Sequence, residues 1–180
     1  RHSHVICAIS AHQVNAFLTG ISALSDIADT IERLEYQPIH SVWLQYPSPV
    51  ALPSPMLGFT HGLIHWAFDR AALCGQRGLV GAVISAAGEH QELTHEELGL
   101  RVHLELRRHL HALPDPLWTR VIAEKRASFA CTPGVLRPAQ ITPLENFYLA
   151  GDYTASDYPA TLESAVRSGV LCAQHILRYA

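Results

Sequence analysis

The stretch FYLAGDYTASDYPATLESAVRSGVLCAQHIL runs from Phe147 to Leu177. Its opening apolar residues, Phe147 to Ala150, predict a buried strand. Gly151 lets the backbone turn tightly at the strand's end, and Asp152 places a carboxylate there. A small polar loop follows, and Pro159-Ala160-Thr161 opens a helix predicted over Ala160 to Arg178. Proline is tolerated at a helix start because its missing N–H would have no intrahelical partner there. In α/β proteins, ligands sit outside the carboxyl ends of strands and near helix N-termini. The unpaired N–H groups and the dipole of the helix favour an anionic or electron-rich group at that place. The candidate donors are therefore the backbone groups of Ala160, Thr161 and Leu162, and Asp152 is the candidate acceptor for sugar or polyol hydroxyls. Leu162, Ala165, Val166, Gly169, Cys172, Ala173 and Ile176 give the helix a face for tight packing. From the pattern alone, an ordinary solvent-facing strand–helix turn fits the same letters.

The rest of the 180 residues sets bounds on what surrounds this segment. Nearly half of them are hydrophobic (48%) and 16% are charged, so the chain should bury a core. No apolar run is long enough to cross a bilayer, and no signal-peptide pattern opens the chain. A net charge of −3 with scattered arginines leaves no nucleic-acid footprint. Cys7, Cys74, Cys131 and Cys172 form no CxxC pair, a usage that suits reduced thiols in a cytosolic protein. The chain opens Arg1-His2-Ser3-His4 and runs at once into Val5 to Ile9, which reads as a buried strand. Its single methionine is Met56. Together these features lead us to expect the C-terminal part of a longer chain.

Between the two ends, local signals predict alternating helices and strands. Ser10 and Gln13 form a capping-box pattern before a helix over Ala11 to Leu18. Leu24, Ile27, Ala28, Ile31 and Leu34 share one face of a second helix, which Gln37-Pro38 stops. His40 to Tyr46, Leu63 to Phe68, Leu79 to Ala86 and Trp118 to Ala130 read as strands. Pro47, Pro49, Pro53 and Pro55 mark a loop. Thr94 and Glu97 form another capping box, before a helix to about Leu113 with a Leu98, Val102, Leu106, Leu110 stripe. The fold class is α+β: a mostly antiparallel sheet over residues 40 to 130, capped by the Thr94 helix. The first and last strands should pair beside it as remnants of a Rossmann-like domain.

The motif LAGDYTASDYPATLESAVRSG resembles the C-terminal flavin motif of the FAD-dependent amine oxidase and phytoene desaturase superfamily. The segments IHWAFDR, GLVGAVISAA, EKRASFACTPGVLRP and PATLESAVRSG together resemble the bacterial squalene-associated FAD-dependent desaturases, also described as hydroxysqualene dehydroxylases. That resemblance covers the chain from about residue 36 onward. It implies FAD as cofactor, with the Gly151-Asp152 carboxylate on the ribityl chain and the Pro159-Ala160-Thr161-Leu162 backbone at the flavin ring. It also implies three parts: a strand and helix of the FAD domain over 1–22, a substrate-binding domain over 23–140, and a closing FAD-binding strand, loop and helix over 141–180. Family members begin with a GxGxxG strand-turn-helix. The densest glycines here, Gly75, Gly78 and Gly81, do not follow a strand in that way.

The resemblance to the squalene group implies a long apolar isoprenoid substrate, such as squalene, hydroxysqualene or phytoene, and hydride exchange through the flavin. It implies a cytoplasmic enzyme with peripheral contact at the inner membrane face. Amine oxidases of the superfamily commonly carry a lysine on a substrate-domain strand. The only lysine here is Lys125, and the strand from Ser41 to Tyr46 has none. Trp43, Tyr46, Trp66 and Phe68 are the candidate lining of a hydrocarbon tunnel, with core packing as the alternative. Asp69 and Arg70 read as an internal ion pair, or as a pair that positions a substrate hydroxyl. His61 and His65 are four apart, and His2–His4 and His109–His111 two apart. With no acidic partner at HExxH spacing, these give no metal centre. Arg107-Arg108 reads as a solvated helix face. Amine oxidation, or a non-catalytic lipid- or partner-binding domain, are the alternative functions.

Overall fold

The computed structural model describes residues 2–110 and 112–179. The chain forms two compact units, one of residues 1–36 with 128–180 and the other of Gln37–Ala127. The divisions expected at 22/23 and 140/141 both fall inside the first unit. The reason is a shared core: Leu24, Ile31 and Leu34 pack with Val14 and Leu18, and Phe129, Phe147, Leu149 and Tyr153 join the same cluster.

In the first unit, β1 (Val5–Cys7) pairs in parallel with β7 (Phe147–Leu149), in the register Val5↔Phe147, Ile6↔Tyr148, Cys7↔Leu149. The pairing of first and last strands is as expected. However, β7 is buried throughout, whereas Val5 and Ile6 are about 40% exposed. Among the described residues β1 pairs with β7 alone. Helix α1 (Ala11–Leu18) follows. The predicted capping box there does not form: the Gln13 N–H goes to the Ser10 carbonyl at 2.9 Å, and the Ser10 hydroxyl meets the Gln13 side chain. A 3₁₀ turn (Ser22–Leu24) leads into α2 (Ser25–Glu32). The long α5 (Leu162–Tyr179) closes the chain.

The second unit is built on a five-stranded sheet of β2 (Tyr36–Gln45), β3 (Met56–Gly58), β4 (Trp66–Asp69), β5 (Leu79–Ser85) and β6 (Trp118–Phe129), in the order β3-β4-β5-β2-β6. The β3–β4, β4–β5 and β5–β2 pairs are antiparallel. Strand β2 starts earlier than predicted, and its register with β5 begins at Ile39, just past Pro38, which has no N–H to give a ladder. Two of the short elements that escaped prediction flank β4. One is β3. The other is α3 (Arg70–Cys74), capped by the Asp69 carboxylate on the N–H groups of Ala71 and Ala72 at 2.9 and 3.0 Å. Asp69 also accepts the Leu52 N–H. Its carboxylate is thus engaged by backbone, and the expected Asp69–Arg70 ion pair is absent.

Helix α4 (His95–His109) opens with the predicted Thr94–Glu97 capping box and ends one turn before Leu113. Its Leu98, Val102 and Leu106 bury against Val42, Leu44, Ala67, Val80, Ala82 and Ile84, which all point to one side of the sheet. Strict alternation then sends Ile39, Ser41, Trp43, Trp66, Phe68 and Val83 to the opposite side, where none is fully buried.

Candidate functional site

The turn after β7 is rigid for identifiable reasons. A β-carbon at Gly151 would lie inside the ring of Tyr153, which is 1% exposed and has no room to retreat. The Gly151 N–H donates to Ser168 Oγ at 2.8 Å, and Ser168 Oγ donates to the Ala165 carbonyl at 2.6 Å. The loop beyond is held from outside by two side chains. The Arg137 guanidinium donates to the carbonyls of Asp152, Ser156 and Tyr158 and lies 5.4 Å over the Phe129 ring. Gln140 donates to the Ala155 carbonyl at 2.6 Å and to Thr154 Oγ1 at 3.2 Å. Neither residue was a sequence candidate. Each lies 14 to 21 positions from its acceptors, and no local spacing rule reaches that far.

Held in this way, Asp152 presents a half-buried carboxylate. Burial pushes its carboxyl pKa above the ordinary value, while the N–H groups of Asp152 and Tyr153 and the charge of Arg137 pull it down. The Tyr153 phenol beneath it is raised too, chiefly by burial, and its hydroxyl has no partner among the described residues.

The helix beyond starts later than predicted. Thr161 is its cap: Thr161 Oγ1 accepts the Ser164 N–H at 3.1 Å, and the first intrahelical bond runs from Ala165 to the Thr161 carbonyl. The Ala160 N–H meets Cys131 Sγ at 3.4 Å. With Thr161 as cap, the N–H groups of Leu162 and Glu163 precede the first intrahelical bond and stand open at the helix start. The packing face keeps Cys172 and Ile176 of those expected and adds Ser164 and Ser168, whereas Leu162 is 88% and Val166 63% exposed. Polar groups on β7 and its turn favour Cys172 and Ser168 there: Cys172 Sγ donates to the Leu149 carbonyl, and Ser168 Oγ accepts the Gly151 N–H.

In the other unit, three of the four candidate aromatics come together. Trp43 and Phe68 both pair with Gly81, and Trp66 pairs with Val83 on the same side. The rings lie flat because the strands beneath lack side chains: a β-carbon at Gly81 would be 3.0 Å from Trp43, and one at Gly58 would be 3.2 Å from Trp66. Tyr46 is not among them. It shares the parity of Val42 and Leu44, is buried under α4, and donates its hydroxyl to His103 Nδ1 at 3.2 Å. His103 Nε2 in turn donates to Asp115 at 3.3 Å. Lys125 is exposed on β6.

A family model described as flavin containing amine oxidoreductase matches residues 1–177. The chain belongs to this family. It is 31% identical over 146 residues to the hydroxysqualene dehydroxylase of Rhodopseudomonas palustris, which covers 79% of this chain and 33% of that protein. A shorter match, 48% identical over 60 residues, links it to the 15-cis-phytoene desaturase of Solanum lycopersicum, covering 32% of this chain and 10% of that one. The fold matches that of an oxidoreductase from Methanosarcina mazei with a TM-score of 0.66 at 14% identity, over 97% of this chain and 43% of that chain. The chain spans about a third of the length of the hydroxysqualene dehydroxylases it matches.

Membership of the flavin-containing amine oxidoreductases brings FAD as cofactor, and the turn after β7 fits such a group. It offers one half-buried carboxylate as acceptor, two open N–H groups at a helix start, and a loop braced by Arg137 and Gln140. The remaining sequence candidates lie elsewhere in this family member. His65 Nδ1 accepts the Ser85 N–H at 2.8 Å. Arg107 reaches Asp115 at 3.5 Å. His111 lies outside the described residues. Among those described, no three His, Cys, Asp or Glu side chains are placed to hold a metal ion, and no helix is long and apolar enough to cross a membrane.

Proposed function

We propose that this chain is the closing part of an FAD-dependent oxidoreductase that acts on a long apolar isoprenoid of the squalene, hydroxysqualene or phytoene kind. The observation that carries the reading is the open side of the five-stranded sheet. Trp43, Trp66, Phe68, Met56, Val83 and Ile39 form a carbon-rich surface there, and within the β3–β4, β4–β5 and β5–β2 registers none of them pairs with a lysine or a carboxylate. Apolar patches of this kind, left open on a folded unit, mark binding surfaces. The residues Gln37–Ala127 would then be the substrate-binding unit, and the other unit part of the FAD domain.

In this reading Asp152 accepts hydrogen bonds from the ribityl hydroxyls, and the Leu162 and Glu163 N–H groups face an electron-rich edge of the flavin ring. Bound FAD supplies the exchange of hydride equivalents with an allylic carbon. The aromatic surface orients the hydrocarbon and keeps water from it. A substrate this apolar would be collected by peripheral contact with a membrane surface. The relatives named for hydroxysqualene and phytoene support the substrate class.

The test is made on the full-length protein. Purified enzyme should be yellow, and Asp152→Ala should weaken FAD binding by about 1.5–3 kcal/mol, the scale of one charge-assisted hydrogen bond. It should turn over isoprenoid alcohols or alkenes. Unchanged FAD affinity in the variant would overturn the ribityl role, and turnover of amines with none of isoprenoids would overturn the substrate class.

A further inference from the structure

On the open side of the sheet lies a pocket of about 210 Å³ lined by Ser41, Trp43, Phe68, Arg70, Gly81 and Val83. It is smaller than a typical site for a whole ligand, so it suits one segment of a long molecule. Its lining is carbon-rich apart from the Ser41 hydroxyl and one charge. Arg70 places its guanidinium 5.5 Å over the Trp43 ring, and its Nε donates to Gln76 Oε1 at 2.9 Å. The acidic neighbour that could neutralise it, Asp69, is engaged by the N–H groups of Leu52, Ala71 and Ala72. Among the described residues no carboxylate pairs with Arg70, and its two Nη groups have no protein acceptor.

A guanidinium fixed at Nε and stacked on a ring is a pre-organised fork, with little freedom left to lose when it binds an acceptor. The Gly81 backbone lets Trp43 lie flat beneath it, so the charge is held at the pocket and not out in solvent. A cation in an aromatic pocket gives a pure hydrocarbon nothing to pair with, and it rewards a ligand that brings an oxygen acceptor. We propose that Arg70 is a specificity residue of this surface that reads an oxygen function, a hydroxyl or a carboxylate, on the isoprenoid. This rests on the isoprenoid reading of the aromatic surface given above.

The experiment measures dissociation constants by tryptophan fluorescence in the full-length, flavin-loaded protein. The probes are farnesol, farnesoic acid and the hydrocarbon squalene. The wild type should bind at least one oxygenated probe with an affinity that Arg70→Gln lowers about tenfold, while squalene binding changes less than twofold. Arg70→Lys should keep the charge, lose the fork geometry, and fall between the two. Gln76→Leu frees the guanidinium without removing it and should blunt the same discrimination, which gives a second route should Arg70→Gln disturb α3. A larger loss for the acid than for the alcohol identifies a carboxylate, and the converse a hydroxyl. If the oxygenated probes and squalene weaken equally, Arg70 only packs on Trp43 and the proposal fails. If all three variants keep the wild-type preference, it fails as well. If the wild type binds none of the three probes, the isoprenoid reading itself has failed, and this inference with it.

Discussion

Glu105 offers a sharp test of how the second unit is held together. It sits on the sheet side of α4, is 9% exposed, and accepts the Leu63 N–H at 2.9 and 3.1 Å and the Ile64 N–H at 3.0 Å. These bonds fix the loop that delivers Trp66 to β4. Gly62, at φ +102°, is shaped to the same contact, because a β-carbon there would collide with the carboxylate. Glu105→Ala removes the acceptor of two N–H groups, one of them on fully buried Ile64. A hydrogen bond to a charged group contributes about 1.5–3 kcal/mol. Because both bonds share one carboxylate, their losses overlap, so the expected cost is about 3–4 kcal/mol. Glu105→Gln keeps one carbonyl acceptor and turns its amide donors toward the other N–H, and should cost about half as much. In a chain of this size, each kcal/mol moves the midpoint by roughly 2–4 °C. Thermal unfolding followed by circular dichroism should place the alanine variant about 6–15 °C below wild type, with glutamine between. Amide exchange at Leu63 and Ile64 should accelerate in both. An alanine variant within about 2 °C of wild type, with both amides still protected, would show that the loop is held by something else.

Three further outcomes follow from the geometry. Gly151→Ala drives a β-carbon into the buried Tyr153 ring and should cost about 1–3 kcal/mol, read as a lowered denaturant midpoint; an unchanged midpoint would contradict the packing. Arg137→Gln removes the clamp on three carbonyls, so amides of residues 152–158 should exchange faster, and unaltered exchange would assign the loop's order to Gln140 alone. His40 and His90 are buried with ring centroids 4.7 Å apart. Burial lowers both pKa values below 6.5, helped by His90 and His95 at His40 and by His65 at His90. As pH falls through 6.5 the unfolded chain takes up these protons first, so stability is complete above that pH and declines below it. The limiting slope for two protons is about 2.7 kcal/mol per pH unit, and urea midpoints that stay flat between pH 7.5 and 5 would exclude it.

Much of this architecture is local and could be read from the letters. The Thr94–Glu97 box, the Leu98, Val102, Leu106 stripe and the alternation read from His40 onward are local signals, and each marks an observed element, although the strand begins at Tyr36 and ends at Gln45. What could not be read depended on partners far along the chain. Gly151 needs Ser168's hydroxyl, and α5 turns Ser168 and Cys172 inward because β7 and its turn present polar groups to meet them. A hydrophobicity count alone favours the other face of that helix. The short β3 follows a proline-rich loop and has only three residues, too few to carry a periodic signal.

The two candidate sites differ in kind, and that difference explains how unevenly they were predicted. The turn after β7 is assembled from one continuous stretch, with its braces at Arg137 and Gln140 and its last partner at Ser168. The strand, the Gly151 turn and the helix were legible there because they follow one another directly, whereas the helix start at Thr161 and the braces from Arg137, Gln140 and Ser168 were not. The aromatic surface draws on β2, β3, β4 and β5, and no motif can convey a register. One clue was nonetheless available in the letters. Trp43 and Tyr46 are three residues apart, and along an extended chain an odd separation puts two side chains on opposite sides. Grouping them as a single lining contradicted the alternation that had identified the strand. Gly58 and Gly81 carried the complementary information, since a glycine across from a tryptophan is where a ring can lie down on the sheet. The four aromatics thus have two separate roles. Tyr46 joins the core through His103, while Trp43 and Trp66, laid over Gly81 and Gly58, share the open side of the sheet with Phe68.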